Sequence, residues 1–397
     1  MTRKTYKFRL YPTKAQAELL ERQLYECCRL YNAALQERRD AYRLERKSIK
    51  LYDQTYQLKE IFAEGDSGIL GFSAAWHVLD RVDKAFKAFF RRVKEGKGKT
   101  GFPRFKSARR FDSFDWQVSR GSHVAKNGKL RILKMGECKI KLHRPIEGTV
   151  KHASVKREAG KWYACLSVEY EAEPLPPSAG EVGLDVGLSS FVTLSDGSEI
   201  DNPRYYKEAQ KELRRAQRKV ARRKKGSQGR RAAVLLLQKA HAHVRNQRAD
   251  FHHKISRWVI NNHGFIAAED LNIKGLSGGI LAKSVRDAGW GYFLNQLAYK
   301  AESAGRVFVK VDPRGTSQRC VCGAEVRKEL KDRWHGCTAC GLSVSRDHAS
   351  AMEILRLGKS LAASTSPVAE CVAAEETRLK HCKSHCTSSA GGKAGTR

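Results

Sequence analysis

The sequence predicts an α+β protein with more than one domain. Three observations support this: short alternating apolar runs that suit strands, longer stretches with apolar residues at helical spacing, and a length of 397 residues, enough for two or three domains. A proline-rich stretch at 173–178 is typical of a linker. We therefore expect one domain at 1–178, a second at 179–357, and a tail at 358–397 whose composition predicts disorder.

The first half mixes strands with helices. A strand-like run opens it at 6–11, and apolar residues at helical spacing follow from Gln16 to Leu35 and from Ser73 to Val93. Strand-like runs come next at 130–133, 138–142, 153–156 and 162–169. This order predicts a small antiparallel β-barrel with helices inserted into it.

The charge of the chain points to a polyanionic partner. The formal net charge is +34, from 76 Lys and Arg against 42 Asp and Glu, and nucleic acid is the first choice for such a protein. A basic membrane-surface protein is the alternative, but no stretch approaches the roughly 18 consecutive apolar residues of a spanning helix. We expect a cytoplasmic, nucleoid-associated protein with no membrane partner. In a protein of the cytoplasm, the eleven cysteines are better interpreted as metal ligands and free thiols than as disulfides.

Two basic segments are the main candidates for nucleic-acid contact. Between Lys207 and Arg231, 12 of 25 residues are Lys or Arg, and helical spacing follows, which predicts a helical hairpin with one cationic arm. A solvated charged face is the alternative, but so many crowded cations repel one another unless a polyanion lies along them. The candidates in this arm are Arg222, Arg223, Lys224 and Lys225. In the loop at 101–106, Arg104 lies among aromatic residues, a mixture that suits stacking on bases and pairing with phosphates.

One acid stands inside an apolar strand pattern in the second half. Val182, Leu184 and Val186 alternate with period two, so Asp185 is expected on the opposite face of the strand. An ionised carboxylate in such a setting needs partners or a cation to offset its desolvation. A metal ligand is therefore the leading interpretation of Asp185.

Two later acids have comparable settings. Glu269 ends the apolar run 265–268, and Asp347 precedes an apolar helical pattern that places it in the first helical turn. Each acid alone also fits a solvated or capping role. Together, two strand acids and one helix acid in this order are the arrangement with which a ribonuclease H-like nuclease holds two divalent cations, magnesium or manganese. The stretch 273–279 beyond Glu269 predicts a flexible loop that could act as a lid.

Two cysteine pairs form a second constellation. Cys320 and Cys322 are separated by 14 residues from Cys337 and Cys340, and a glycine follows each pair. This spacing resembles a zinc ribbon with a structural, four-coordinate site. The first pair is one residue short, so His335 is an alternative ligand.

With these residues in view, the chain resembles the TnpB family, transposon-encoded RNA-guided nucleases related to the compact type V CRISPR effectors. The resemblance covers roughly residues 3–357 of the sequence. Its marks, in chain order, are Arg9-Leu10-Tyr11-Pro12-Thr13, Tyr31-Asn32, Gly101-Phe102-Pro103-Arg104-Phe105, Gly183-Leu184-Asp185-Val186-Gly187, Arg222-Arg223-Lys224-Lys225-Gly226-Ser227, Glu269-Asp270-Leu271, Asp287-Ala288-Gly289-Trp290, the cysteine pairs and Arg346-Asp347. Two positions depart from the family pattern: the short first cysteine pair, and Ala349 where the family commonly has Asn.

The resemblance implies a fold and an activity. A helical recognition region inserted in a β-barrel wedge domain would hold guide RNA and DNA, and a RuvC-type nuclease domain with an inserted zinc ribbon, at about 315–345, would cut double-stranded DNA beside a short flanking motif. The catalytic acids of the family fall on Asp185, Glu269 and Asp347. The guide would be an omega RNA from the transposon end, with the protein monomeric on it. We place motif reading, partly on the resemblance, in the N-terminal helices at Tyr52, Gln54, Ser73, Trp76 and His77.

Other functions remain open at this point. A compact CRISPR-type effector would share these features, and an RNA-guided DNA-binding regulator or transposition accessory protein would bind DNA without cutting it. The three intact acids argue against the regulator. A strand-transfer transposase could use the same acids, but the N-terminal half shows no helix-turn-helix signal.

Overall fold

The computed structural model describes residues 2–65, 68–96, 100–118, 124–125, 128–132, 134–329 and 331–364. The chain divides into two compact units, Met1–Ala172 and Glu173–Arg397, with the boundary at the start of the proline-rich stretch. Among the described residues, no helix combines the length and apolar character needed to cross a membrane. Each unit has its own sheet and its own core.

The first unit is a seven-stranded sheet with helices inserted after its first strand. Its strands are β1 (Thr2–Tyr11), β2 (Ser113–Gln117), β3 (Val124–Ala125), β4 (Lys129–Ile132), β5 (Gly136–Lys141), β6 (Thr149–Glu158) and β7 (Lys161–Tyr170). Its helices are α1 (Lys14–Glu45), α2 (Leu51–Ala63) and α3 (Phe72–Glu95), followed by a short 3-10 helix at Ala108–Arg110. Thr13 begins α1 with a reciprocal capping box to Gln16.

The strand order corrects the predicted barrel. The order is β2-β6-β7-β1-β5-β4-β3, antiparallel throughout. Because β2 and β3 lie at opposite ends and do not pair, the described sheet is open, a half-barrel. The three helices lie between β1 and β2 in the chain, and β2 was not predicted. Leu133, the last residue of one predicted strand, lies outside the described residues.

The second unit is built on a five-stranded mixed sheet. Its strands are β8 (Glu181–Val186), β9 (Ser190–Leu194), β10 (Glu199–Asp201), β11 (Phe265–Glu269) and β12 (Val307–Val311), with a separate two-stranded ribbon of β13 (Trp334–Gly336) and β14 (Ser343–Ser345). Its helices are α4 (Tyr205–Ala221), α5 (Gln228–Asn262), α6 (Ile273–Leu276), α7 (Ala282–Ala288), α8 (Trp290–Ala304) and α9 (Arg346–Ser364), with a 3-10 helix at Thr316–Gln318. The order β10-β9-β8-β11-β12 pairs β8, β11 and β12 in parallel.

Two predictions about loops in this unit are corrected. The expected flexible loop at 273–279 begins with the short helix α6, because the Asn272 side chain accepts a hydrogen bond from the backbone N–H of Gly275. The start of the expected tail, 358–364, instead forms the last turns of α9. Gly358 in these turns, and Ile354 just before them, are buried against the sheet. Residues 365–397, which contain the rest of the predicted tail, lie outside the described residues.

Candidate active site

The two strand acids lie on the same face of the second sheet. On β8, Val182 and Leu184 are buried in the core shared with α5 and α8, so Gly183 and Asp185 face the opposite side. Strand β11 runs parallel to β8 with Ala268 opposite Leu184. The next residue along each strand is an acid, Asp185 on β8 and Glu269 on β11. The alternation of β8 therefore places Asp185 as the sequence predicts.

Helix α9 covers this face and brings the third acid. Asp347 lies in the first turn of α9, and the helix packs across β8, β9, β11 and β12. The crossing is very close, because a Cβ on Gly183 would lie 2.0 Å from the backbone oxygen of Ala351. At the next crossing, a Cβ on Gly358 would lie 2.5 Å from Cβ of Ala267. Because both positions are glycine, α9 can pack closely against the sheet. Asp347, in the first turn of α9, then lies at the end of the sheet where β8 carries Asp185.

The electrostatics show that both of the other acids act on Asp185. Burial raises the pKa of Asp185 well above its usual range, and the charges of Glu269 and Asp347 raise it further, against the opposing charge of Arg346. Burial also raises the pKa of Glu269, opposed by a hydrogen bond from the Thr316 hydroxyl to Oε1 at 2.5 Å. Like charges held together in a dry site are costly unless cations offset them.

The three acids do not form a compact ligand cluster in the described parts of the chain, where the one set of three or more potential ligand atoms that all lie within 4.8 Å of one another belongs to four cysteines. Ala349, two residues beyond Asp347, is buried and offers no ligand.

The four predicted cysteines converge despite the short first pair. Cys320 Sγ lies 3.6 Å from Cys340 Sγ, and Cys322 Sγ lies 3.7 Å from Cys337 Sγ. Four thiolates at about 2.3 Å from a tetrahedral ion lie about 3.8 Å apart, so the arrangement matches such a site. Within the described residues His335 is not part of this cluster, and its Nδ1 lies 2.5 Å from Lys328 Nζ instead.

Tight turns at both pairs explain the convergence. In the longer pair, the backbone N–H of Gly341 donates to the Cys337 carbonyl at 2.9 Å, and in the shorter pair Gly323 donates to the Cys320 carbonyl at 2.8 Å. Both glycines have positive φ, 92° at Gly323 and 75° at Gly341, which other residues rarely adopt. Backbone hydrogen bonds from Cys340 and Ala339 lower the pKa of the Cys337 thiol to about 7.

The predicted cationic hairpin is present. Helices α4 and α5 pack together, joined by a turn in which Arg222, Arg223, Lys224 and Lys225 are exposed. Arg230 has a structural role, because its guanidinium donates to the carbonyls of Val220 and Arg223 at the end of α4. Between the helices lies a cleft of about 1230 Å³ whose cationic lining includes Lys207, Lys211, Arg214, Arg215, Arg218, Lys219, Arg222, Arg223 and Lys239.

The five candidates for motif reading are placed very differently. Tyr52 is 77% exposed on α2. Gln54 corrects the expectation, because it is buried and its amide is occupied by Arg38, Ala34 and Glu37. Ser73 accepts a hydrogen bond from the Gln117 backbone, and Trp76 and His77 are partly buried side by side, with His77 also against His152. Tyr52 is thus the member of this set that offers most surface to a partner.

The loop at 101–106 is held by contacts that the sequence reading did not assign. The side chain of Asn32 accepts from the Lys106 backbone N–H at 2.9 Å and donates to the Lys106 carbonyl at 2.8 Å. Phe102 packs edge-on against Phe86 and Phe89. Arg104 remains exposed between these two anchors. The sequence indicated Asn32 only as part of the family pattern, and no local feature predicted its hydrogen bonds to the Lys106 backbone.

Comparisons with known proteins cover most of the chain. The family model OrfB_IS605, described as "Probable transposase", matches residues 165–278, and "Cas12f1-like, TNB domain" matches 290–354. A third model, described as "Helix-turn-helix domain", matches 1–47. That match corrects the expectation that this half carries no such signal, although its described residues form one strand and one continuous helix.

Two curated relatives are similar over most of their length. "Putative RNA-guided DNA endonuclease" of Streptomyces pristinaespiralis is 31% identical, covering 90% of this chain and 89% of the relative. "Putative RNA-guided DNA endonuclease InsQ" of Escherichia coli (strain K12) is also 31% identical, covering 72% of this chain and 74% of the relative. A solved structure of the mini-RNA-guided endonuclease CRISPR-Cas phi3 aligns with a TM-score of 0.45 at 9% identity, covering 90% of this chain and 92% of that one. The chain belongs to the TnpB family of RNA-guided DNA endonucleases.

Proposed function

We propose that this protein is an RNA-guided DNA endonuclease of a transposable element, which cuts double-stranded DNA beside a short flanking motif by two-metal phosphodiester hydrolysis. The observation that carries the proposal is the convergence of Asp185, Glu269 and Asp347 on one face of the second sheet, where burial and mutual repulsion raise the pKa of Asp185. The names of the two curated relatives support the same activity.

The proposed active site assigns a role to each acid. Asp185, Glu269 and Asp347 hold divalent cations, magnesium or manganese, through carboxylate oxygens. Two such cations about 3.5 to 4 Å apart stabilise the attacking and leaving oxygens of the phosphodiester. The chain contributes the fixed placement of the carboxylates, set by parallel pairing of β8 with β11 and by the glycine crossings under α9.

The remaining assignments follow the two units of the chain. Residues 179–357 form the ribonuclease H-like nuclease domain, with the zinc ribbon at about 315–345. Residues 1–178 form a wedge sheet with an inserted helical recognition region that holds the guide RNA and the DNA beside the motif. Tyr52, Ser73, Trp76, His77 and Arg104 remain the proposed contacts there, and Gln54 is withdrawn because it is buried. The guide is an omega RNA, the protein is monomeric on it, and the complex acts in the cytoplasm at the nucleoid.

Sequencing the RNA that copurifies with the protein tests this proposal. We expect one dominant RNA that combines a constant scaffold with a segment matching DNA beside the element. A heterogeneous mixture of cellular RNA would count against guiding. A strand-transfer transposase is the second candidate, because the matched family model carries that description. It would leave substrate DNA joined to target DNA, whereas a nuclease leaves free ends.

The cysteine cluster should bind one zinc ion per chain. We expect metal analysis of the purified protein to give close to one equivalent of zinc, and substitution of either Cys322→Ser or Cys337→Ser to remove most of it, because each thiolate fills one of four positions. Cys165→Ser, outside the cluster, is the control and should retain the metal. Less than half an equivalent in the unmodified protein would contradict the site. Zinc loss on His335→Gln with retention on Cys322→Ser would assign the fourth ligand to the histidine.

The basic arm should supply affinity without specificity. Neutralising Arg222 with Arg223, or Lys224 with Lys225, should weaken binding to every target alike and reduce the log-log salt slope by about 0.7 to 0.9 per lost phosphate contact. The reason is that exposed cations at the tip of a helical hairpin contact phosphates, which position a nucleic acid but do not specify sequence.

The matched control for the arm neutralises two lysines that already pair with acids, Lys254 with Asp250 at 2.7 Å and Lys331 with Glu329 at 2.8 Å. Binding should change little in that variant. A library of flanking sequences then measures motif preference. Altered preference in the arm variants with an unchanged salt slope would show that the arm reads the motif.

A further inference from the structure

Thr316 lies beside the candidate active site without being one of its acids. It begins the 3-10 helix that follows β12, is 3% exposed, and donates its hydroxyl proton to Glu269 Oε1 at 2.5 Å. The Thr316 hydroxyl oxygen also lies 3.1 Å from the carbonyl oxygen of Pro313. A hydroxyl has one proton, and an ionised carboxylate is the stronger acceptor, so the proton goes to Glu269.

This hydrogen bond fixes the orientation of Glu269. Among the residues that the structure describes, Thr316 is the one hydrogen-bond partner of the Glu269 carboxylate. Oε1 is held by the hydroxyl, which leaves Oε2 and the remaining lone pairs of Oε1 for a cation. Loss of a hydrogen-bond partner that orients a metal ligand in this way typically lowers metal affinity by about 10- to 100-fold.

Thr316 is in turn held by the segment that contains the cysteine cluster. Two residues further on, the Gln318 side chain donates to the Lys328 carbonyl at 2.9 Å and accepts from the Lys328 backbone N–H at 2.8 Å. The Gln318 carbonyl accepts from the Val326 N–H at 2.8 Å, and Cys320 follows in the cluster. The position of Thr316 therefore depends on the fold of this segment.

The other end of the same segment leads to another acid. Strand β14 (Ser343–Ser345) runs directly into α9, whose first turn carries Asp347. The backbone N–H of Arg346 donates to the Arg333 carbonyl at 2.9 Å, which ties the start of α9 to the ribbon. The cysteine cluster thus closes a loop of chain with Thr316 at its beginning and Asp347 at its end.

We propose that Thr316 is a positioning residue for Glu269, and that through it the cysteine cluster sets the affinity of the three acids for divalent cations. The inference rests on the proposed function, because it takes the acids as a cation site. In this proposal the cysteine cluster supports the active site, in addition to stabilising the ribbon locally. Loss of metal from the cysteines would then lower cation binding at the acids.

Manganese binding to the purified chain, followed by electron paramagnetic resonance without nucleic acid, tests the positioning role. Thr316→Val should weaken binding by about 10- to 100-fold, as expected on losing a partner that orients a ligand. Thr316→Ser keeps the hydroxyl and should restore binding. The control is Thr55→Val, since the Thr55 hydroxyl donates to the Leu51 carbonyl within α2, and it should match the unmodified protein.

Two further measurements separate positioning from general destabilisation. In a Glu269→Gln background, Thr316→Val should have no additional effect on manganese binding, because the group it orients is already altered. Cys322→Ser should weaken manganese binding in the unmodified chain but lower it less in a Thr316→Val background, since part of its effect acts through Thr316 and Glu269. Equal manganese affinity in the Thr316→Val and unmodified proteins, or fully additive losses, would overturn the inference. An unmodified protein that binds no manganese would instead count against the proposed function.

Discussion

Replacing Asp185 with alanine is expected to abolish guided DNA cleavage while the protein still binds its RNA and the matched target. Both Glu269 and Asp347 raise the pKa of Asp185, so in the proposed site the loss of this carboxylate should disrupt the binding of divalent cations. Bound metal ions at the reacting oxygens contribute several kcal/mol of charge stabilisation, which corresponds to a rate loss of at least about a thousandfold. Affinity should be retained because it depends on the Lys and Arg surfaces.

Cleavage and binding are measured on the same matched target, by product formation and by gel shift. Asp270→Ala is the matched control, because Asp270 follows Glu269 in the chain but is largely exposed and pairs with Lys310 at 3.0 Å. It should cut normally. Undiminished cutting by the Asp185 variant would remove the three acids as the catalytic site, and equal loss in the Asp270 variant would show that the assay reports a general loss of charge.

Replacing Gly183 with alanine should strongly destabilise the second unit. The added Cβ would lie 2.0 Å from the Ala351 oxygen and 2.8 Å from the Leu355 nitrogen, so helix α9 must move away from β8. Overpacking a core typically costs about 1 to 3 kcal/mol, and a clash with rigid helix backbone belongs at or above the upper end of that range. The displaced helix carries Asp347, so cleavage should fall even where the protein remains folded.

Thermal unfolding of the second unit measures the loss, and Gly279→Ala is the control. A Cβ on Gly279 meets nothing within 4 Å, and the backbone there does not need a glycine conformation. The control should unfold at the same temperature as the unmodified protein. If Gly183→Ala also did so and cut DNA normally, then the close helix crossing would not be what places Asp347.

The local features of the candidate site could be predicted from sequence because they follow from periodicity. The alternation of Val182 and Leu184 put Asp185 on the opposite face of its strand, and the apolar helical pattern after Asp347 put that acid in a first turn. The sheet order that brings Glu269 beside Asp185 depends on pairing between strands far apart in the chain, which no local pattern encodes. The role of Thr316 was missed because a threonine in a loop gives no signal until its partner is known.

The errors in the first unit have physical causes. Gln54 was assigned to the surface because it is polar, but Arg38 on α1 supplies a buried partner for its amide, which makes burial favourable. The buried side of helix α2 combines Gln54 with Leu58 and is not purely apolar. The barrel was expected from the number of strands, whereas closure depends on whether β2 and β3 pair, and they lie at opposite ends of the sheet.

Reprogramming the guide tests the central claim most directly. The protein is loaded with either of two RNAs that share the copurified scaffold and differ only in the guide segment, and each complex is given both matching DNA targets with magnesium. Each complex should cut only the target that its own guide matches, at a position fixed relative to the flanking motif, and no product should form with EDTA. Cutting at the same sites whichever guide is loaded, or no cutting of either matched target, would contradict an RNA-guided nuclease built on Asp185, Glu269 and Asp347.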